Sequence, residues 1–220
     1  MSVITISREF GSEGSYIAEK VAQALGYHLA DKETLEHVLL QYGFVEFEKE
    51  YDEARSLWAR LDARNTEMIK MLNRVIRAVA RHGNVVILGR GSFAVLNDFA
   101  DVLNVLIQAP LSVRQARVMT QQKITEPEQA EAIVKEADRV RATFLESYYD
   151  VRWDAASAFD LVIDTGKVPP DLAISWLVET VKAVPERKDG EARTTSAIEE
   201  DEILASAVSD VLKCQVVHRP

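Results

Sequence analysis

The segment Ser7-Arg8-Glu9-Phe10-Gly11-Ser12-Glu13-Gly14-Ser15 lies between the apolar run Val3-Ile4-Thr5-Ile6 and a helical pattern that starts near Ile17. A strand that runs into a tight turn and then a helix aims several backbone N–H groups and the positive end of the helix dipole at one point. That geometry suits a phosphate. The full phosphate-loop motif needs a glycine, four arbitrary residues and then Gly-Lys-Ser/Thr. Here Glu9 stands at the first glycine and Gly14 is followed by Ser15 and Tyr16, so the lysine is missing. Two readings stand side by side: an anion cradle, and an ordinary strand-to-helix turn whose glycines supply positive φ.

Other candidates are scattered along the chain. Gly89-Arg90-Gly91 follows an apolar strand end, where α/β sheets bind ligands, and a planar guanidinium there suits bidentate phosphate binding. Arg114 and Arg117 sit three apart on one helix face, as do Asp138 and Arg141, a spacing that also fits a solvated face or an intrahelical ion pair. His28, His37, His82 and His218 are isolated and lack zinc-ligand spacing, and Cys214 has no Cys or His cluster near it. No Ser-His-Asp order can be defended.

The elements that must position these residues alternate. A strand over 3–7 feeds a helix over about 15–25, with Ile17, Ala18, Val21, Ala22 and Leu25 at helical spacing and Gly26 as its stop. Tyr27–Ala30 reads as a second strand. Asp31 caps a helix with Leu35, Val38 and Leu39, and a long helical region over about 46–82 carries Tyr51, Trp58, Leu72 and Val79. His82-Gly83-Asn84 breaks it. Val85–Leu88 and Val102–Gln108 are apolar enough to be strands buried on both faces. Pro110 opens a helix to about 121, Pro127 another to about 149, Leu161–Asp164 is a fifth strand, and Asp171–Ala183 a closing helix. This alternation predicts an α/β three-layer sandwich.

The 220 residues are 47% hydrophobic, enough for one domain with a real core plus a short appendage. A net charge of -9 without a sustained basic run argues against nucleic-acid and membrane partners and for small molecules. The N-terminus lacks a secretory layout and no apolar run approaches a membrane span, so the reading is cytoplasmic. The compact domain is expected over 1–184, with a solvated linker over 185–197. Over 198–220 an amphipathic helix is expected, with Ile198, Leu204, Val208 and Leu212 on one stripe and the acidic run Glu199–Glu202 at its start. The stripe either packs back on the domain or docks on a second subunit.

Taken in order, Ile4-Thr5-Ile6-Ser7-Arg8-Glu9-Phe10-Gly11-Ser12-Glu13-Gly14, Asp31-Lys32-Glu33, Gly89-Arg90-Gly91, Ala109-Pro110 with Arg114 and Arg117, Asp138 with Arg141, and Phe159–Thr165 resemble the successive signatures of the cytidylate kinase-like family. The resemblance covers about residues 3–183 and rests on collinearity. It implies the fold of a P-loop nucleoside monophosphate kinase: a five-stranded parallel sheet, a monophosphate-binding helical insertion over 31–83, and an arginine-bearing lid over about 118–150.

Carried over, it implies ATP held by Gly11, Ser12, Glu13, Gly14, Ser15 and Tyr16, and an acceptor held by Asp31, Arg90 and Asp138. Arg8, Arg90, Arg114 and Arg141 would serve catalysis, and Mg²⁺ would meet a hydroxyl, Ser15 or Ser12. Several convergent cations are what phosphoryl transfer requires. The missing lysine and Leu88 in place of the family's aspartate are departures, with Arg8 a candidate replacement for the first and Asp31 or Asp164 for the second. Phosphoryl transfer to a nucleoside monophosphate therefore stands beside two alternatives, a non-catalytic nucleotide-binding regulator and a kinase for a different small molecule.

Overall fold

The computed structural model describes residues 2–42, 66–152, 155–183 and 193–217. Residues 43–65 of the expected insertion, with Tyr51 and Trp58, lie outside the described residues, as do residues 185–192 of the expected linker, His218 and the side chain of Cys214.

Five strands, β1 (Val3–Arg8), β2 (His28–Ala30), β3 (Val85–Leu88), β4 (Val102–Gln108) and β5 (Leu161–Asp164), form one all-parallel sheet in the order β2-β3-β1-β4-β5. β1 is central, paired with β3 through Ile4↔Val86 and Ile6↔Leu88 and with β4 through Ile4↔Leu103 and Ile6↔Val105. Strand side chains alternate between faces. Ile4, Ile6, Val86 and Ile107 therefore pack with Ile17 and Val21 of α1 (Gly14–Leu25) and Leu177 of α7 (Pro170–Ala183). Val3, Val85 and Ile87 face the opposite layer, α2 (Lys32–Gln41) and α3 (Thr66–His82). Buried on both sides, these strands read as continuous apolar runs. The three-layer α/β architecture is as the alternation predicts.

Local signals place the boundaries. Gly26, at φ 67°, ends α1, and the Asp31 carboxylate accepts the Thr34 N–H at 3.0 Å, capping α2. Gly83 and Asn84, both left-handed, turn α3 into β3. The short helix α4 (Ser92–Val95) follows β3 and carries too few residues for a periodic signal. α5 (Leu111–Gln122) and α6 (Pro127–Tyr149) form a hairpin, with Pro127 opening α6. Asp138, Arg139 and Arg141 lie inside α6, in the second arm of that hairpin.

The last helix, α8 (Glu202–Val217), uses its stripe within the chain. Leu204, Val208 and Leu212 are buried against Leu35 and Leu39 of α2 and Leu72 and Val79 of α3. Of the two readings of the stripe, the structure shows the one in which it packs back on the domain. The segment before α8 is anchored too: the Asp101 carboxylate accepts both the N–H and the hydroxyl of Thr195, and the Ala100 N–H donates to the Arg193 carbonyl. Among the described residues, no helix is long and apolar enough to cross a membrane.

Candidate active site

β1 ends at the middle of the sheet's C-terminal edge, and the turn Glu9–Glu13 carries the chain into α1. Gly11 (φ 80°) and Glu13 (φ 68°) adopt left-handed backbone, and Glu13 caps α1 without a side-chain hydrogen bond. The N–H groups of Glu13, Gly14, Ser15 and Tyr16 have no acceptor among the described residues. A helix leaves its first N–H groups unpaired, and four together at the positive end of its dipole form an anion cradle. Ser15 and Tyr16 are exposed, whereas Ser12 is fully buried. The Ser12 hydroxyl donates to the Glu9 carbonyl at 2.9 Å, and its own carbonyl accepts the Thr165 hydroxyl at 2.8 Å. Ser12 thus closes the turn with its hydroxyl and carbonyl, while the Ser15 side chain faces solvent.

The turn is held by groups that sequence spacing assigned elsewhere. The Phe10 peptide is gripped at both ends: its N–H donates to Asp138 Oδ1 at 2.9 Å and its carbonyl accepts from Arg114 Nη1 at 3.2 Å. Arg114, buried, also donates to the Ala109 carbonyl, pairs with Glu9 at 3.2 Å and binds Asp138 Oδ2. Glu9 accepts the Ala109 N–H at 2.8 Å; burial nevertheless pushes its carboxyl up, with Ala109 and Arg114 pulling against that shift. Through its Nε and Nη1 donors, Arg114 thus braces the loop on which the anion-cradle reading would place the phosphates. Asp138 is likewise engaged by the Phe10 amide and two arginines. Arg117, expected on a solvated face, donates to the Thr165 hydroxyl (3.0 Å) and carbonyl (2.9 Å), tying the end of β5 to the loop. Arg139 pairs with Glu136 at the surface, as its helical spacing suggests.

A cluster of cations stands beside the loop. Gly89, Arg90 and Gly91 take φ of 75°, 59° and 71°, three successive left-handed residues that swing the chain from β3 into α4. At Arg90 that conformation costs about 1–2 kcal/mol. Both flanking glycines are required by close approach. A Cβ on Gly89 would collide with Arg8 Nη1, and one on Gly91 with the Tyr149 ring. Gly14 makes room for the same arginine, since a Cβ there would collide with Arg8 Cβ and lie 2.9 Å from its Cγ. The Arg8 side chain therefore runs from under the first residue of α1 to the Arg90 turn.

Burial, then the Arg141 charge, pushes the Arg8 guanidinium down to about 10, with Asp31 opposing. Burial and then Arg8 push Arg90 down to about 9, with Glu36 and Asp31 opposing. Arg141 is lowered by burial while its 3.2 Å pair with Asp138 holds it up. All three line an open cleft of about 1080 Å³ between the sheet edge and α6, together with Lys32, Phe10 and Phe144. Cations gathered at one cleft favour the binding of an anion there.

For Mg²⁺, the described residues contain no group of three or more His, Cys, Asp or Glu side chains that could hold an ion. The exposed Ser15 hydroxyl at the start of α1 is an oxygen donor of the kind Mg²⁺ takes alongside water and substrate phosphates. Asp31 is spent first on the α2 cap, and Asp164 Oδ1 accepts the Gly166 N–H at 2.8 Å.

The cytidylate kinase-like family matches residues 3–167, from β1 through the Thr165 turn. The chain belongs to the cytidylate kinase-like family. This cytidylate kinase-like chain is similar to the cytidylate kinase of Halobacterium salinarum, 25% identical over 188 residues, 85% of this chain and 93% of that one. It is also 28% identical over 183 residues to the cytidylate kinase of Ignicoccus hospitalis, covering 83% of this chain and 98% of the relative. The crystal structure of an uncharacterized protein from Eubacterium ventriosum shares its fold, with a TM-score of 0.66 at 23% identity over 83% of this chain and 99% of the other. Family membership supports nucleotide-kinase chemistry in general terms. Within the family fold, sequence reasoning missed Glu9, Arg117 and Thr165 as the loop's supports and Tyr149 as the packing partner of Gly91. Thr165 lay inside a recognised signature, but nothing local pairs it with Ser12, 153 residues away.

Proposed function

We propose that this protein transfers a phosphoryl group from ATP to a nucleoside monophosphate. The observation that carries the reading is the path of Arg8, whose stem passes beneath Gly14 in the donor loop and whose guanidinium lies against Gly89 in the acceptor turn. A cation there stands between the two places where phosphates would sit, and so can act on the group in transit as the missing lysine would. The unpaired amides of Glu13–Tyr16 hold the donor phosphates, Arg90 grips the acceptor phosphate, and Arg141 closes on the transferring group from α6. Phosphoryl transfer is catalysed mainly by alignment and charge neutralisation, so fixed cations that need no reorganisation are the main requirement. Bound Mg²⁺, met by the Ser15 hydroxyl, would supply further neutralisation of the donor phosphates.

Purified protein with ATP, Mg²⁺ and a panel of nucleoside monophosphates tests this. ADP formed in step with phosphorylation of one acceptor supports the reading. Tight ATP binding with no turnover on any monophosphate overturns it in favour of nucleotide binding without catalysis, the reading that the absent lysine favours.

A further inference from the structure

Asp138 has three partners that belong to three different parts of the site. Its Oδ1 accepts the Phe10 N–H at 2.9 Å and Arg141 Nη1 at 3.2 Å, and its Oδ2 accepts from Arg114. Phe10 belongs to the donor loop, Arg141 to the cleft side of α6, and Arg114 to α5, whose guanidinium also holds the Phe10 carbonyl at 3.2 Å. The carboxylate is mostly buried, with 14% of its side chain exposed. A pair this sheltered fixes geometry more firmly than a surface pair, which holds its partners only loosely. Arg141 is additionally seated over the Phe10 ring, 5.5 Å from its centroid. The same loop residue therefore receives Asp138 on its amide and Arg141 on its ring.

We propose that Asp138 is a positioning residue that locks the α6 cation Arg141 to the donor loop through the Phe10 peptide, so that the loop and the cation present themselves to substrate as one unit. The proposal rests on the phosphotransfer reading for its kinetic consequences but not for its structural one. Asp138 touches no substrate in this assignment; it acts through Arg141 and through Phe10. Its loss therefore leaves the ground-state grip of Arg90 on the acceptor intact and misplaces a group used in the transition state.

The experiment uses the full chain with Asp138→Asn, which keeps an oxygen for the Phe10 amide while removing the charge that holds Arg141 and Arg114, alongside Arg141→Met and the double variant. Thermal melts establish that each variant folds. The expected kinetics are a fall in kcat of about tenfold or more for Asp138→Asn, with the acceptor KM within about twofold of wild type. The double variant should lose clearly less than the product of the two single losses, because part of the effect of Asp138 runs through Arg141. A raised acceptor KM at unchanged kcat, or losses that multiply in the double variant, overturns the proposal in favour of a direct substrate contact. Independently of turnover, hydrogen exchange in the loop peptide over residues 8–14 should quicken in Asp138→Asn. Unchanged protection also overturns the proposal. A wild type that exchanges slowly in the loop, loses that protection in Asp138→Asn and yet transfers no phosphate would overturn the kinase reading while sustaining this one. If Asp138→Asn does not fold, Asp138→Glu, which retains the charge with a longer stem, is measured in the same exchange assay, with the same quickening expected and the same result decisive against it.

Discussion

The guanidinium of Arg8 occupies the space that a side chain at Gly89 would need. The two residues are far apart in sequence, Arg8 at the end of β1 and Gly89 just after β3, and their contact joins the turn that leads into α1 to the turn that leads into α4. Because the colliding atom is the far end of a flexible side chain, Gly89→Ala should be tolerated by the fold better than by the chemistry. Moving a residue with φ 75° out of glycine costs about 1–2 kcal/mol, while the displaced Arg8 should lower kcat by about tenfold or more. Urea melts and initial rates on the same preparation check both.

Gly14→Ala should behave in the opposite proportion. Here the added Cβ meets Arg8 Cβ and Cγ, atoms near the backbone that cannot swing away. Overpacking of this kind costs about 1–3 kcal/mol, so a larger drop in melting stability than for Gly89→Ala is expected. Equal stability of the two variants would mean that the Arg8 stem moves freely.

Replacing Arg90 by methionine should weaken acceptor binding. Arg90 lines the cleft with Arg8 and Arg141, and an apolar side chain of similar volume cannot make the bidentate contact to phosphate that a planar guanidinium makes. Differential scanning fluorimetry with and without a monophosphate reads the effect: the variant gains less from ligand than the wild type.

Leu212→Ala should destabilise the chain by about 2–5 kcal/mol, as for other fully buried leucines. The reason is that α8 seals the face of the α2–α3 layer and shares its core. Asp201→Ala should cost less, about 1 kcal/mol, since it removes the cap on Leu204 N–H together with exposed contacts to Tyr42 and Arg74. Chemical denaturation of both variants checks the order.

By itself, the sequence determined what depends on near neighbours. Apolar runs such as Val85–Leu88 became strands buried on both faces, Asp31 capped a helix, Pro127 opened one and Gly26 ended one, because these signals act over a turn or a few residues. The strand-turn-helix at Gly14 was readable for the same reason, and so was the order of family signatures. Only the tertiary structure decided which cations face the cleft and which build its wall. Arg114 and Arg141 look alike in sequence, yet the first is buried and bound to the Phe10 carbonyl, Ala109, Glu9 and Asp138, whereas the second, paired with Asp138, lines the cleft. Asp138 meets the Phe10 amide across 128 residues, and Thr165 meets Ser12 across 153. Such partnerships are set by where the sheet order and the α5–α6 hairpin bring distant segments together, and no short-range periodicity encodes that convergence.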